Sequence, residues 1–165
     1  MKGRLLLIFL LPIVMCGIAW YCWYSPVATV ILVRHAERLN STDTTSLSEA
    51  GVKRAEALAH VLSASGVSRI YVSQKLRTHQ TAQPTASAFG IMPIEISANE
   101  IRLYGDSVKT HRGEVILIVG HSDSVPKIIG RLGIAIPPTI AADEFDNLFV
   151  VTMFRFRSTL THLKY

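Results

Sequence analysis

Cysteine is almost absent from this chain of 165 residues: Cys16 and Cys22 are the only two, and both lie in an apolar N-terminal stretch. No disulfide framework and no cysteine-based metal site is therefore available to residues 27–165. Long blocks of like charge, internal repeats and low-complexity tracts are also missing, although the net charge is +5. The lysines and arginines are scattered, with no stripe of basic and aromatic residues of the kind that reads nucleic acid. A few placed arginines suit a small anionic substrate better. The length allows one domain with a full core rather than two.

What is present begins with an uncharged apolar run, residues 5–23, behind Lys2 and Arg4. A bilayer span needs roughly 20 such residues. No Ala-x-Ala-like cleavage site follows, and Trp20, Tyr21, Trp23 and Tyr24 cluster at the far end as an aromatic belt would. Residues 1–26 therefore read as an uncleaved signal anchor, a transmembrane helix, with a cleaved signal peptide as the alternative. Basic residues kept in the cytoplasm predict that residues 27–165 lie on the outer side. That side is the periplasm if the source is Gram-negative, and the domain is secreted if the segment is cleaved. With only Ser25 and Pro26 as linker, the domain is expected to ride close to the membrane.

The most informative stretch is Val30-Ile31-Leu32-Val33-Arg34-His35-Ala36-Glu37, an apolar run ending abruptly in an arginine, a histidine and a glutamate. Such a run reads as a strand buried on both faces, and ligands collect outside the carboxyl ends of strands in open α/β sheets. Beyond it, Ser48 caps a helix whose apolar residues Val52, Ala55, Leu58, Ala59 and Leu62 recur at helical spacing before Gly66. Residues 69–73 form a short strand. A second helix runs from about Lys75 to Phe89 and closes at Gly90, with a kink or early break expected at Pro84. Residues 92–97 read as an edge strand because of Pro93, and residues 99–112 as a loop and short helix. Residues 115–119 are a second apolar strand, ending in Gly120-His121-Ser122-Asp123. Residues 125–132 are helical, with Pro126 in the first turn. Pro137-Pro138 marks a loop, and residues 147–154 form a strand with a hairpin partner at 159–163. The order predicts a three-layer α/β/α sandwich with a mainly parallel central sheet, preceded by the membrane helix.

If the strands are mainly parallel, Arg34-His35, Arg77 just past Ser73, and His121 meet at one sheet edge and form a cationic pocket. The motifs there resemble those of the histidine phosphatase superfamily, the group that includes cofactor-dependent phosphoglycerate mutases and many small phosphatases. Leu32-Val33-Arg34-His35-Ala36-Glu37 is similar to its signature, with Ala36 where glycine is commoner. Leu47-Ser48-Glu49-Ala50-Gly51 resembles the opening of its first helix. Ser73-Gln74-Lys75-Leu76-Arg77-Thr78-His79-Gln80-Thr81-Ala82 resembles its Ser-x-x-x-Arg-Thr-x-Gln-Thr-Ala segment, and Val119-Gly120-His121-Ser122 its second histidine.

The resemblance implies that His35 is the nucleophile, forming a phosphohistidine that water hydrolyses. Arg34 and Arg77 would clamp the phosphoryl oxygens, disfavouring protonation of His35, and His121, if protonated, adds a donor. No metal or cofactor is expected, because these side chains supply the positive charge. Glu100, in Asn99-Glu100-Ile101-Arg102-Leu103-Tyr104-Gly105, is the candidate general acid, with Asp123 as the alternative. Glu37 is expected to orient Arg34 or bind backbone groups; Ser73 and Thr78 to shape the pocket and cap a helix. The expected activity is phosphate monoester hydrolysis on a phosphorylated substrate. A phosphohistidine-protein phosphatase and a non-catalytic phospho-ligand binding module remain as alternatives.

Overall fold

The apolar run before Arg34 forms a strand, β1 (Pro26–Arg34), in the interior of a six-stranded sheet. The computed structural model describes residues 2–165, with side chains at 12–21 and 23–165. Successive β1 side chains point to opposite faces: Val30 and Leu32 enter one core, Ile31 and Val33 the other, and none is more than 4% exposed. Burial on both faces is why this strand shows no polar alternation.

Around β1 the chain adds α1 (Lys2–Tyr24), α2 (Glu49–Leu62), β2 (Val67–Val72), α3 (Leu76–Phe89), β3 (Ile94–Glu95), α4 (Ile101–Thr110), β4 (Val115–Gly120), α5 (Ser124–Arg131), β5 (Asn147–Phe154) and β6 (Ser158–Lys164). The sheet order is β3-β2-β4-β1-β5-β6. The α2 and α3 side chains Leu58, Leu62, Ala82 and Ala86 pack against Ile31, Val33, Ile70 and Leu117 on one face. Tyr104, Val108, Ile128 and Ile129 of α4 and α5 pack against Val30, Leu32, Ile116 and Ile118 on the other. The three expected layers are present, and all three core clusters are drawn from residues 28–165.

The sheet is mixed rather than mainly parallel. β3, β2, β4 and β1 run parallel, whereas β5 is antiparallel to both β1 and β6. After α5 the chain is at the lower edge of the sheet, where Ser158 Oγ donates to the Leu132 carbonyl. The Pro137-Pro138 loop then climbs to the upper edge, where Arg34 donates to the Ala141 carbonyl. The ascent is made outside the sheet, so β5 starts at the top and descends antiparallel.

Ser48 caps α2 as expected, its Oγ accepting from the Gly51 N–H at 3.1 Å. Gly51 itself is needed there, because a Cβ would run into the Glu37 carbonyl. By contrast, α3 continues unbroken through Pro84. Proline removes one helical hydrogen bond, but Thr81, Ala82, Thr85 and Ala86 beside it are buried, and that packing holds the helix together. The edge strand before α4 shrinks to Ile94–Glu95, since Pro93 cannot donate to a ladder.

α1 is helical over Lys2–Tyr24, yet among the described residues no helix is long and apolar enough to cross a membrane. The described residues therefore do not support the transmembrane helix expected at 5–23. Residues 5–11 and Cys22 of that expectation lie outside the described side chains.

Candidate functional site

Parallel pairing of β2, β4 and β1 brings three strand ends to the upper sheet edge. Arg34 pairs in register with Gly120, and the His35 N–H donates to the Gly120 carbonyl at 2.9 Å. The chain thus sets His35 beside His121, with ring centroids 5.2 Å apart. Arg77 enters from the first turn of α3. Arg34, His35, Arg77 and His121 are 6%, 4%, 7% and 8% exposed, so four polar side chains are buried at the floor of one cleft. The cleft has a volume of about 490 Å³, and Arg38, Asp43, Lys75 and Asp123 are among its other lining residues.

His35 is fixed in one tautomer. Its Nδ1 lies 2.8 Å from the Ala36 carbonyl, which can only accept, so Nδ1 carries the proton and Nε2 keeps a free lone pair. Burial is the main cause that pushes its pKa down to about 3, with His121, Arg77 and Arg34 adding to it and the Ala36 carbonyl opposing it. The imidazole is neutral at pH 7, as a nucleophile must be. The arginines act in the expected direction but are secondary to burial.

The two arginines are held differently. Arg34 Nη1 donates to the carbonyls of Ala141, Ala142 and Glu144, each at 2.9 Å, and its guanidinium lies 4.0 Å from the Phe145 ring centroid. Arg77 Nη1 donates to the Asp43 carbonyl at 3.0 Å. Among the described residues, the Nε–H groups of both are buried without a partner. Each unmade bond of this kind costs about 1–3 kcal/mol. Both arginines line the cleft, so an oxyanion bound there would meet two guanidinium groups. Nothing in the sequence pattern singled out residues 141–145, which have no period; their role exists only because the climbing loop ends over Arg34.

His121 takes the opposite tautomer. Thr78 Oγ1 donates to the Lys75 carbonyl at 2.7 Å, Ser73 Oγ lies 3.1 Å from Thr78 Oγ1, and His121 Nε2 lies 2.8 Å from Ser73 Oγ. Only one assignment gives each of these contacts a hydrogen: Thr78 to the carbonyl, Ser73 to Thr78, and His121 Nε2–H to Ser73. The lone pair is then on Nδ1. Burial first, then Arg77, lowers the His121 pKa to about 4, with Asp123 opposing. In the free site His121 is neutral; an arriving anion would favour the protonation that lets it donate to phosphoryl oxygen.

The remaining motif residues tie the site together. The Ala36 N–H donates to Thr81 Oγ1, which donates onward to the Arg77 carbonyl, and the Leu47 N–H donates to Gln80 Oε1. Glu37 does not orient Arg34: its carboxylate accepts from Arg54 Nε at 2.8 and 3.0 Å, locking α2 to the signature loop. That pairing holds the Glu37 carboxyl below its usual range against the opposing effect of burial. Glu100 is exposed and lines a separate hollow with Ile101, Arg102 and Leu103, so the structure does not bring it to the cleft. Asp123 does line the cleft, and so does Asp43, whose carboxylate is bonded to Lys75 Nζ at 2.8 Å. Among the described residues no three His, Cys, Asp or Glu side chains gather closely enough to hold a metal ion.

A family model described as the histidine phosphatase superfamily (branch 1) matches residues 30–103. No curated protein matches the chain. Among solved structures, the chain is similar to a protein assigned as the phosphohistidine phosphatase SixA of Agrobacterium tumefaciens. Identity is 24%, coverage is 83% of this chain and 98% of that one, and the TM-score is 0.62. It is also similar to the protein histidine phosphatase SixA complexed with tungstate, at 18% identity, 82% and 96% coverage and a TM-score of 0.63. A phosphoserine phosphatase from Entamoeba histolytica, in complex with 3-phosphoglyceric acid, shares 17% identity over 84% and 97% of the chains, with a TM-score of 0.66.

Proposed function

We propose that this chain, whose residues 30–103 match the model of the histidine phosphatase superfamily (branch 1), hydrolyses phosphate monoesters through a phosphohistidine on Nε2 of His35. The observation that carries this reading is the neutral, Nδ1-protonated His35 beside two buried arginine Nε–H groups without acceptors. In the first step the Nε2 lone pair forms a bond to phosphorus while the bond to the leaving oxygen breaks. Arg34 and Arg77 hold the equatorial oxygens, where charge develops. Water then attacks the phosphohistidine, phosphate leaves, and His35 returns to its starting tautomer.

The leaving alkoxide needs a proton. Of the two carboxylates weighed from the sequence, Asp123 lines the cleft and Glu100 does not. Asp43 is a poor donor, since Lys75 holds its carboxyl below the usual range. We assign the proton to Asp123. Alkyl phosphates, with poor leaving groups, should lose turnover in Asp123→Asn by on the order of 10²-fold, and aryl phosphates much less. Equal losses on both would remove Asp123 from the role, and turnover by His35→Ala would remove the mechanism.

A second reading is supported by similar structures described as a phosphohistidine phosphatase and as a protein histidine phosphatase. A phosphohistidine side chain standing out from a protein surface would reach His35, and an imidazole protonated before cleavage leaves without help from Asp123. Hydrolysis of a phosphohistidine protein undiminished in Asp123→Asn, and faster than that of any monoester, would select this reading. Location outside the cytoplasm is proposed on the sequence alone, from Lys2 and Arg4 ahead of residues 5–23. A C-terminal reporter active only in the cytoplasm would overturn it if it gave a signal.

A further inference from the structure

We propose that the end of the domain remote from the cleft is a docking surface for anionic lipid headgroups; the inference rests on the extracytoplasmic location proposed above. The turn between β5 and β6 carries Arg155-Phe156-Arg157, all exposed, with Phe156 at 67%. Lys109, in the last turn of α4, and Arg112 just beyond it reach the same end. Together with Arg155 they rim a hollow of about 260 Å³ whose floor includes Val27, Val108 and Met153.

The carboxylates nearby are already engaged. Glu114 is paired with Arg69 at 3.0 Å, and Asp106 lies 4.0 Å from Lys109 and 3.8 Å from Arg131. Among the described residues, Arg112, Arg155 and Arg157 make no ion pair. His111 also stands here, bonded to the Ser107 carbonyl. The surface is thus cationic around an apolar floor, with an exposed phenylalanine between two arginines.

The patch is continuous with α1. The Trp23 ring lies 5.3 Å from that of Phe156, and the Arg157 guanidinium lies 5.8 Å from the Tyr24 ring. Trp20, Tyr21, Trp23 and Tyr24 are all about half exposed or more. Arginines and aromatic rings on one face are the chemistry of the headgroup layer, where cations meet lipid phosphates and rings enter the acyl boundary. β1 leads from this end to His35, and at about 3.3 Å per residue its length puts the cleft about 30 Å away. Docked in this way, the cleft faces water, and its substrates are soluble phosphates rather than lipid phosphates in the same bilayer.

Amide exchange of the full chain in phosphatidylcholine vesicles, with and without phosphatidylglycerol, tests this. Segments 109–113 and 153–158 should slow by about fivefold or more only with the anionic lipid, while segments 35–48 and 141–145 stay unchanged. Arg155→Glu with Arg157→Glu should abolish the protection and leave aryl phosphate turnover intact. Arg155→Gln with Arg157→Gln gives the same test should charge reversal unfold the hairpin. Equal exchange in both vesicle types overturns the proposal. Equal protection by inorganic phosphate without vesicles also overturns it, in favour of a soluble anion site. Turnover in the same samples reports on the phosphatase reading separately.

Discussion

His35 and His121 sit at the ends of adjacent strands, 5.2 Å apart and almost equally buried, yet their surroundings prepare them for different work. His35 donates its Nδ1 proton to the carbonyl of the next residue, so its own backbone fixes a free Nε2 lone pair. His121 is held through Nε2 by a chain of two hydroxyls from a different segment, which leaves Nδ1 as the basic atom. One histidine is a pre-set nucleophile. The other is poised to gain a proton once negative charge arrives. The lesson is that identical residues at equivalent strand ends are differentiated by which nitrogen the scaffold occupies.

The largest test of this division is His35→Ala, expected to lower aryl phosphate turnover by about 10⁴-fold or more, whereas His121→Asn should retain measurable turnover and covalent phosphorylation. Steady-state and burst kinetics on both variants check this. Next come the donors: Arg77→Lys should cost on the order of 10²-fold in kcat, because a lysine cannot offer the Nε–H and Nη pair to one phosphoryl group.

A smaller effect, about tenfold, is expected for Ser73→Ala and Thr78→Val. These remove the acceptor chain that holds His121, and nitrogen-15 spectra should show the His121 tautomer change while His35 keeps its own. Phe145→Leu removes the ring beneath Arg34 and should raise KM by about threefold, with Phe145→Tyr restoring it.

The two histidines also predict a pH dependence of stability. Their folded pKa values, about 3 and about 4, lie below the ordinary 6.5. Between those limits the unfolded chain binds more protons than the folded one. The stability present above pH 6.5 is therefore lost as pH falls towards 4. Denaturation midpoints of the ligand-free protein should fall over that range, and less steeply in His35→Gln with His121→Gln.

Much of this arrangement was legible in the sequence. Val30 to Val33 announced a doubly buried strand, and the polar residues after it, after Val72 and after Val119 announced one functional edge. Local bonds were legible too, as with Ser48 capping α2. What escaped depends on long-range placement. The support of Arg34 by Ala141, Ala142, Glu144 and Phe145 follows from a loop more than a hundred positions away. The pairing of Glu37 with Arg54 depends on how α2 lies across the signature loop. Glu100 matched a motif with one extra residue, and its exposed position outside the cleft shows that spacing within a helix start does not fix direction towards a site.

The most direct test is to locate the phosphoryl group. Brief mixing with an aryl phosphate, an alkaline quench and mass mapping of the peptides should find an acid-labile, base-stable phosphoryl group on His35. Its appearance on His121, or hydrolysis with no adduct on either histidine, would contradict the account.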